Sequence, residues 1–533
     1  MFPSLKTMKI GASALVLAAS ALACSLQSAS AFERVNGQFY LVIANRQPVS
    51  TLDPAQKYDY SSRTLEQALY DGLVKYVGNP PKVEPWLAKD WTVSDDGLTW
   101  TFHLADNAKF HSGNPVTAEA VAYSFKRTLG LNKGPAWMLS DFLKPEGIKV
   151  VDEHTVQFKL ERPYAAFLSF LPWWYIVDPA VVKEHEVNGD QGQAWLNEHA
   201  AGSGPYELSK FEQGKGYQLK LNKDYWKGFP YDTAKMGGVI IRLIRETSSQ
   251  RASFLKGEAD IVSELTVEEM QQVSRHKDVK VSEIPALTSF GMKFNTTNKY
   301  LSDLNMRKAI AYAFNYDGLL QIYNGRATLE TSPFTDAIRG KVTIDNMPRQ
   351  DLAKAKEFLA KTKYPKGGFD LEYVYVQGLE QERQAGLLLL DALKPLNIHV
   401  KITPLTWPNM VGRAADAKTA PDLMAAFVTP VSTDPDAVAI QYHPSSFGKY
   451  YGSHFLNDPA LAKKIEEARR ETEWDKRAPI YAEIQQDIVN DQPEIFGMMR
   501  ERDYAYHTWV KGFQDSPIRM SSEIDLYPLH ISK

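Results

Sequence analysis

The stretch Trp91–Arg127 reads WTVSDDGLTWTFHLADNAKFHSGNPVTAEAVAYSFKR and combines a hairpin pattern, a loop and the start of a helix. Asp and Gly residues in Ser94–Gly97 favour a tight turn, and Leu98–Leu104 has the Thr, Trp and Phe residues typical of a half-buried strand. Thr117 is a good N-cap for a helix over Ala118–Lys126. By itself the segment predicts structural scaffold and no ligand contact. It is useful for classification, because its elements follow one another in a characteristic order.

One further short motif precedes this stretch, and three follow it. They are YDGL at residues 70–73, GSGPY at 202–206, LKLNKDYW at 219–226 and KGEADI at 256–261. Together with the opening stretch, they resemble the family 5 extracellular solute-binding proteins, which are the oligopeptide- and dipeptide-binding components of bacterial ABC importers. The resemblance extends from about residue 37 to about residue 515, nearly the whole chain after its first segment.

The resemblance implies an α/β fold of the two-lobe periplasmic binding protein type, in its large three-domain form (type II), with mixed sheets and a hinge. A length of 533 residues fits about three domains. We expect residues 1–31 to be a signal peptide, 32–54, 203–287 and 507–533 to form domain I, 55–202 domain II and 288–506 domain III. The solute would bind between the lobes, and a membrane permease would receive it.

The first residues have the pattern of an export signal. Lys6 and Lys9 precede the apolar run Ile10–Ala23, and Ala29-Ser30-Ala31 matches an A-x-A cleavage site. The run is too short for a comfortable membrane span. Cleavage would remove the chain's single cysteine, Cys24, which is also the residue that lipid anchoring would use. These features predict a periplasmic protein without thiols, with a lipid anchor at Cys24 as the alternative.

Composition and missing motifs exclude several function classes. The formal net charge is −3 without a basic block, which disfavours nucleic-acid binding. The sequence has no GxSxG, HExxH or P-loop motif. The eleven histidines are scattered, so we expect neither a metal site nor a cofactor. We predict a binding protein and not an enzyme, and the resemblance implies a monomer. An exported hydrolase using cleft carboxylates, and a receptor on the same fold, stay open as alternatives.

Candidate ligand-binding residues are polar groups at strand ends and large aromatic residues in irregular segments. Open α/β sheets bind ligands beyond the carboxyl ends of their strands, arginine suits a carboxylate, and aromatic rings stack on rings. The candidates are Asn45, Arg46, Tyr60, Trp137, Trp173, Phe290, Gln377, Phe427 and Asp434.

The segment Phe427–Pro435, FVTPVSTDP, bears on the kind of ligand. In peptide-binding members of the family, an acidic residue a few positions before Asp-Pro pairs with the peptide ammonium. Here Val431 takes that place, and no carboxylate lies between Asp422 and Asp434. We therefore hypothesise that the protein does not hold peptides by the usual amine anchor. Its ligand would be a peptide held differently, or a sugar, an opine-like compound or a metal complex.

Overall fold

A computed structural model describes residues 33–35, 37–57, 62–519 and 523–532 of the chain. The predicted signal peptide, Cys24 and the candidate Tyr60 lie outside the described residues. Within them, the strands are β1 (Glu33–Val35), β2 (Gln38–Asn45), β3 (Val74–Val77), β4 (Lys82–Pro85), β5 (Ala88–Val93), β6 (Thr99–Leu104), β7 (Leu143–Asp152), β8 (Thr155–Leu160), β9 (Tyr206–Glu212), β10 (Gly216–Leu221), β11 (Met236–Leu243), β12 (Ile261–Ser263), β13 (Val279–Phe294), β14 (Ala327–Leu329), β15 (Phe369–Val376), β16 (Ile398–Leu405), β17 (Leu423–Val428), β18 (Glu494–His507), β19 (Val510–Lys511) and β20 (His530–Ile531).

The α-helices in the same part of the chain lie mostly on the faces of the sheets. They are α1 (Arg63–Leu69), α2 (Ala118–Leu131), α3 (Phe167–Phe170), α4 (Pro179–Glu184), α5 (Gln193–Leu196), α6 (Thr247–Leu255), α7 (Val267–Ser274), α8 (Leu304–Ala313), α9 (Tyr316–Ile322), α10 (Leu352–Ala360), α11 (Glu380–Leu393), α12 (Trp407–Ala414), α13 (Asp436–Ala439), α14 (Pro459–Arg470) and α15 (Trp474–Asp491). No helix among the described residues has the length and apolar character that a membrane span requires.

A large mixed sheet organises the molecule. Among the described residues it has twelve strands, in the order β16-β15-β17-β13-β18-β12-β2-β11-β10-β9, with β1 on β2 and β14 on β18. A separate four-stranded antiparallel sheet has the order β5-β6-β8-β7. Separate hydrophobic cores lie around the four-stranded sheet, around β2 and β11, and around β13, β15 and β17. This is the predicted α/β architecture with mixed sheets.

Two long strands join the parts of the large sheet. β13 and β18 pair antiparallel from Val279 opposite His507 to Lys293 opposite Glu494. Toward one end β18 also pairs with β12, and toward the other β13 also pairs with β17. The pairing shifts register between Pro285 and Ser289, so the ladder is interrupted near the middle. The expected boundary between residues 287 and 288 therefore falls inside one long strand.

The opening stretch folds as its sequence predicts. β5 and β6 pair antiparallel around the turn, where Gly97 has a φ of 68°. The Thr117 side chain accepts a hydrogen bond from the backbone N–H of Ala120 at 3.4 Å, and α2 continues to Leu131, beyond the predicted Lys126. The ring of Phe125 packs against Trp174, with their centroids 4.8 Å apart. This part of the chain is buried scaffold.

The motifs that carry the family resemblance meet at the buried carboxylate of Asp71. It accepts hydrogen bonds from Trp86 Nε1 at 2.7 Å, Ser203 Oγ at 2.9 Å, Tyr225 Oη at 2.8 Å and Trp226 Nε1 at 2.9 Å. Burial raises the pKa of Asp71, and the four donors oppose this rise. The YDGL, GSGPY and LKLNKDYW motifs thus form one structural cluster.

Close backbone contact explains the glycines of GSGPY. A Cβ at Gly202 would lie 1.9 Å from the carbonyl oxygen of Leu69, and a Cβ at Gly204 would lie 2.4 Å from that of Ala68. A side chain at either position would push α1 away from the segment 202–204.

Candidate functional site

A row of three cavities lies where parallel strands of the large sheet end. β15 pairs parallel with β16 and with β17, so the carboxyl ends of all three strands face the same way. The helices that follow β15 and β16 start beside these ends, α11 at Glu380 and α12 at Trp407. β15 and β17 are neighbours in the sheet, but the chain after β15 leads to β16 on one side, whereas the chain after β17 leads to β18 on the other side. Such a switch point creates a crevice suited to ligands.

The aromatic cavity has a volume of about 400 Å³ and is lined by, among others, Lys57, Trp137, Trp407, Val431, Tyr450 and Tyr451. The rings of Trp407 and Tyr450 meet edge to face, with centroids 5.0 Å apart. Within the described part of the chain, no acidic residue lines this cavity. Its walls suit a ring or an apolar group.

The central cavity has a volume of about 430 Å³ and is lined by, among others, Leu379, Glu382, Trp407, Phe427, Tyr450 and Arg500. It shares Trp407, Thr429 and Tyr450 with the aromatic cavity, so the two are separated by little more than these side chains. Trp407 is 46% exposed, so its ring is accessible from the cavities that it lines.

The charged cavity has a volume of about 700 Å³ and adjoins the central cavity through Phe427, Arg500 and Glu501. Four arginines and three carboxylates line it: Arg46, Arg245, Arg326, Arg500, Glu264, Glu501 and Asp503. Arg326 forms an ion pair with Asp503. The exposed guanidinium of Arg500 makes no hydrogen bond or ion pair with the described residues, so it is available to an anionic group of a ligand.

Glu382 is the buried carboxyl of the central cavity. Its side chain lies in the first turn of α11 and the residue is 2% exposed. Its Oε2 accepts a hydrogen bond from the backbone N–H of Val376 at 2.8 Å. Burial raises the pKa of Glu382 to about 7, and the bond from Val376 only partly offsets this effect. Near neutral pH this group therefore exists in both protonation states.

Three of the nine predicted residues line the cavities. Arg46 and Phe427 both line the charged cavity, where the Arg46 Nε donates to the carbonyl oxygen of Arg245 at 3.2 Å. Trp137 lines the aromatic cavity. Phe290 is buried behind Phe427, with ring centroids 5.0 Å apart, and supports it from the core. The structure thus brings Arg46 and Phe427 together and places Trp137 at the opposite end of the row.

Four other predicted ligand residues do not line the three cavities in the described structure. The side-chain oxygen of Asn45 accepts from the backbone N–H of Arg46 at 2.8 Å and shapes the turn after β2. Gln377 is exposed beyond the end of β15. Trp173 is buried, with the guanidinium of Arg63 3.9 Å above its ring. Asp434 forms a buried two-point ion pair with Arg477, at 2.6 and 2.8 Å.

Val431, the position at which the family resemblance implies an anchoring acid, is a packed residue at the wall of the aromatic cavity. Val431 is 8% exposed and packs against the core of the four-stranded sheet. Its carbonyl oxygen accepts a hydrogen bond from Trp173 Nε1 at 2.6 Å. Ser432, the next residue, is within 3.3 Å of the Tyr76 hydroxyl. This loop is therefore held from both sides.

The sequence reasoning missed Glu382, Trp407, Tyr450 and Arg500. A usable signal existed for two of them, because Glu382 and Trp407 lie in the first turns of helices that follow the alternating strand segments β15 and β16, at the edge where α/β sheets bind ligands. Tyr450 and Arg500 had no local signal, since each reaches the cavities only through the packing of distant segments. In the described ranges, no group of three or more His, Cys, Asp or Glu side chains is arranged to hold a metal ion.

Comparison with known proteins agrees with this architecture. The model of the bacterial extracellular solute-binding proteins, family 5, matches residues 82–449. The probable D,D-dipeptide-binding periplasmic protein of Escherichia coli K12 is 30% identical over 487 residues, covering 90% of this chain and 92% of that protein. Heme-binding protein A of Haemophilus influenzae is 24% identical, covering 96% of both chains.

A solved structure extends the agreement to three dimensions. The ABC transporter-associated periplasmic binding protein of Helicobacter pylori, in complex with the peptide STSA, superposes with a TM-score of 0.78 at 24% identity, covering 93% of this chain and 98% of that one. Family match, relatives and fold point the same way, and this chain belongs to family 5 of the bacterial extracellular solute-binding proteins.

Proposed function

We propose that this protein captures a short peptide or another small polar solute between its lobes and delivers it to the permease of an ABC importer. The row of three adjoining cavities beside β13 and β18 carries this proposal. Rotation about two paired strands with an interrupted ladder would open and close the row around a solute. The volumes fall in the range of small-molecule sites.

The overall organisation that we propose is a periplasmic monomer, after removal of residues 1–31, with no nucleic-acid partner. Domain I would comprise 32–54, 203–287 and 507–533, domain II 55–202 and domain III 288–506. The boundary after residue 287 falls inside β13, and the boundary before 507 falls at the end of β18. The long strands support these boundaries because a hinge requires segments shared by both lobes.

The chemistry of the cleft supports a solute with an anionic group and an apolar or ring-shaped group. Arg46, Arg245 and Arg500 would receive a carboxylate in the charged cavity, while Trp407 and Tyr450 would contact the apolar part. A peptide held without the usual amine anchor fits this description. Its carboxylate would meet the arginines, and its side chains would meet the aromatic residues. The relatives' D,D-dipeptide and heme ligands show how widely solutes differ within the family.

A non-peptide solute is the second candidate, and the aromatic cavity favours it. A sugar, an opine-like compound or a metal complex presents a flat or ring-shaped surface, which Trp137 and Trp407 suit. Hydrolysis has less support. The neighbouring buried carboxylates of Asp434 and Asp436 are bound to Arg477 and Arg469, so neither is available as an acid or base. We therefore propose a role without bond breaking.

Mass spectrometry of small molecules released by denaturing the purified protein tests the proposal. We expect an unaltered solute bearing a carboxylate, and we expect a deletion strain to lose uptake of that solute. Products of bond cleavage among the released molecules, or normal uptake in the deletion strain, would contradict the importer role.

A further inference from the structure

We infer that Glu382 anchors an ammonium group of the solute. It would take the role of the acid that the family resemblance implies at position 431, where this chain has Val431. This inference rests on the proposed function and assigns the cationic end of its ligand. A zwitterionic solute would then place its ammonium at Glu382 and its carboxylate toward Arg500, since both residues line the central cavity.

The geometry of Glu382 provides the first support. One carboxylate oxygen, Oε2, is occupied by the backbone N–H of Val376. The other, Oε1, has no hydrogen-bond partner among the described residues, although the residue is 2% exposed and lines the cavity. Oε1 is not among the buried polar atoms that lack a hydrogen bond, so it is open to the cavity, where a solute ammonium would supply a donor and the compensating charge for this largely buried carboxylate.

The surroundings provide the second support, because no cation among the described residues pairs with Glu382. Its backbone carbonyl accepts a hydrogen bond from the Tyr373 hydroxyl at 2.7 Å. Burial raises the pKa of Tyr323, Arg500 opposes this rise, and the Glu382 carboxylate adds to it. The charged residues that line the same cavity are Glu264, Arg500, Glu501, Arg502 and Asp503. None of them forms an ion pair with Glu382 in the described structure, so its charge is left for the ligand.

The location supplies the third support. Glu382 lies in the first turn of α11, beside the carboxyl end of β15 and at the switch point of the large sheet. Val431, where the family resemblance would place the anchoring acid, lines the aromatic cavity and packs against the core of the four-stranded sheet, but it supplies no carboxylate, and its carbonyl is bound to Trp173. A group that needs a carboxylate in the central cavity therefore finds one in Glu382.

The test uses the variant Glu382→Gln, whose amide oxygen still accepts the Val376 hydrogen bond but carries no charge. Its matched control is Glu380→Gln in the same helical turn, where the exposed carboxylate pairs with Arg383. Calorimetric titration would use a di- to pentapeptide mixture and the same mixture after N-acetylation. We expect Glu382→Gln to weaken binding of the free peptides about tenfold or more, and Glu380→Gln to leave it unchanged.

Two readouts separate an anchor from a structural role. N-acetylation should weaken binding to the wild-type protein and have no further effect on Glu382→Gln, since both changes remove the same contact. Wild-type affinity should also fall about fivefold between pH 7 and pH 6, because the carboxyl titrates with a pKa of about 7, whereas the variant should show no such step.

Three results would overturn the assignment. The first is a Glu382→Gln affinity within twofold of wild type. The second is an equal penalty for N-acetylation in both proteins. The third is a wild-type protein that binds neither peptide mixture. This result would contradict an ammonium-bearing peptide as the solute, while the uptake assay would still test the importer role. Failure here and failure of the proposed function are thus distinguishable.

Discussion

The ion pair between Asp434 and Arg477 gives the most decisive test of which acids are structural. Asp434 came from the sequence as a ligand candidate, yet both of its oxygens are bound to Arg477, whose side chain is 4% exposed. We expect Asp434→Asn to destabilise the protein and to leave solute affinity within twofold of wild type. The reason is that the change leaves the Arg477 charge buried without its counter-ion.

The size of the effect follows from the geometry. Removing one partner of a buried ion pair costs about 3–5 kcal/mol. Asparagine keeps one acceptor, and Arg477 keeps its bonds to the Ala468 carbonyl and the Tyr481 hydroxyl, so we expect the lower end, about 3 kcal/mol. The variant Asp391→Asn removes an exposed pair with Lys394 and should cause no measurable change.

Urea unfolding followed by tryptophan fluorescence would measure the loss, and a double-mutant cycle with Arg477→Met would isolate the pair. Titration with the solute identified by mass spectrometry would measure affinity in the same variants. Wild-type stability combined with a large loss of affinity in Asp434→Asn would refute the reasoning. It would return Asp434 to the ligand site.

Three further changes probe the cleft. Trp407→Ala should weaken solute binding about tenfold by calorimetry and leave the thermal midpoint unchanged, because the side chain is 46% exposed. Glu382→Gln should stabilise the protein by roughly 3 kcal/mol above pH 7 and by nothing below pH 4, as urea titrations at several pH values would show. The sign follows from the raised pKa of about 7, since the wild-type protein loses stability as pH rises and the buried group ionises. Val431→Asp should destabilise the protein without tightening peptide binding, because the new charge would be buried against an apolar core.

Each of these outcomes has a clear opposite. A Trp407→Ala variant with lowered thermal midpoint and unchanged affinity would make this residue structural. A pH-independent difference between wild type and Glu382→Gln would mean that the carboxyl does not titrate in the folded state. Amine-dependent binding gained by Val431→Asp would show that the loop at 430–435 reaches the solute after all.

Local patterns were sufficient for most of the secondary structure. The turn at Ser94–Gly97 and the Thr117 cap each depend on neighbouring residues, and the structure has them where the sequence predicts. The order of the short motifs also identified the family, because such motifs record contacts that the fold requires. Their shared partner, the carboxylate of Asp71, became visible only when the chain had folded.

The ligand site depended on partners that no local pattern specifies. By itself the sequence determined an α/β protein of this family, and it placed Arg46, Trp137 and Phe427 among the candidates that line the cleft. Only the tertiary structure decided the roles of the acids. Asp434 meets an arginine 43 residues away, whereas Glu382 is buried beside the cavity and pairs with no cation in the described part of the chain. The physical reason is that the role of a carboxylate is set by its burial and by the charge opposite it, and both come from distant parts of the chain.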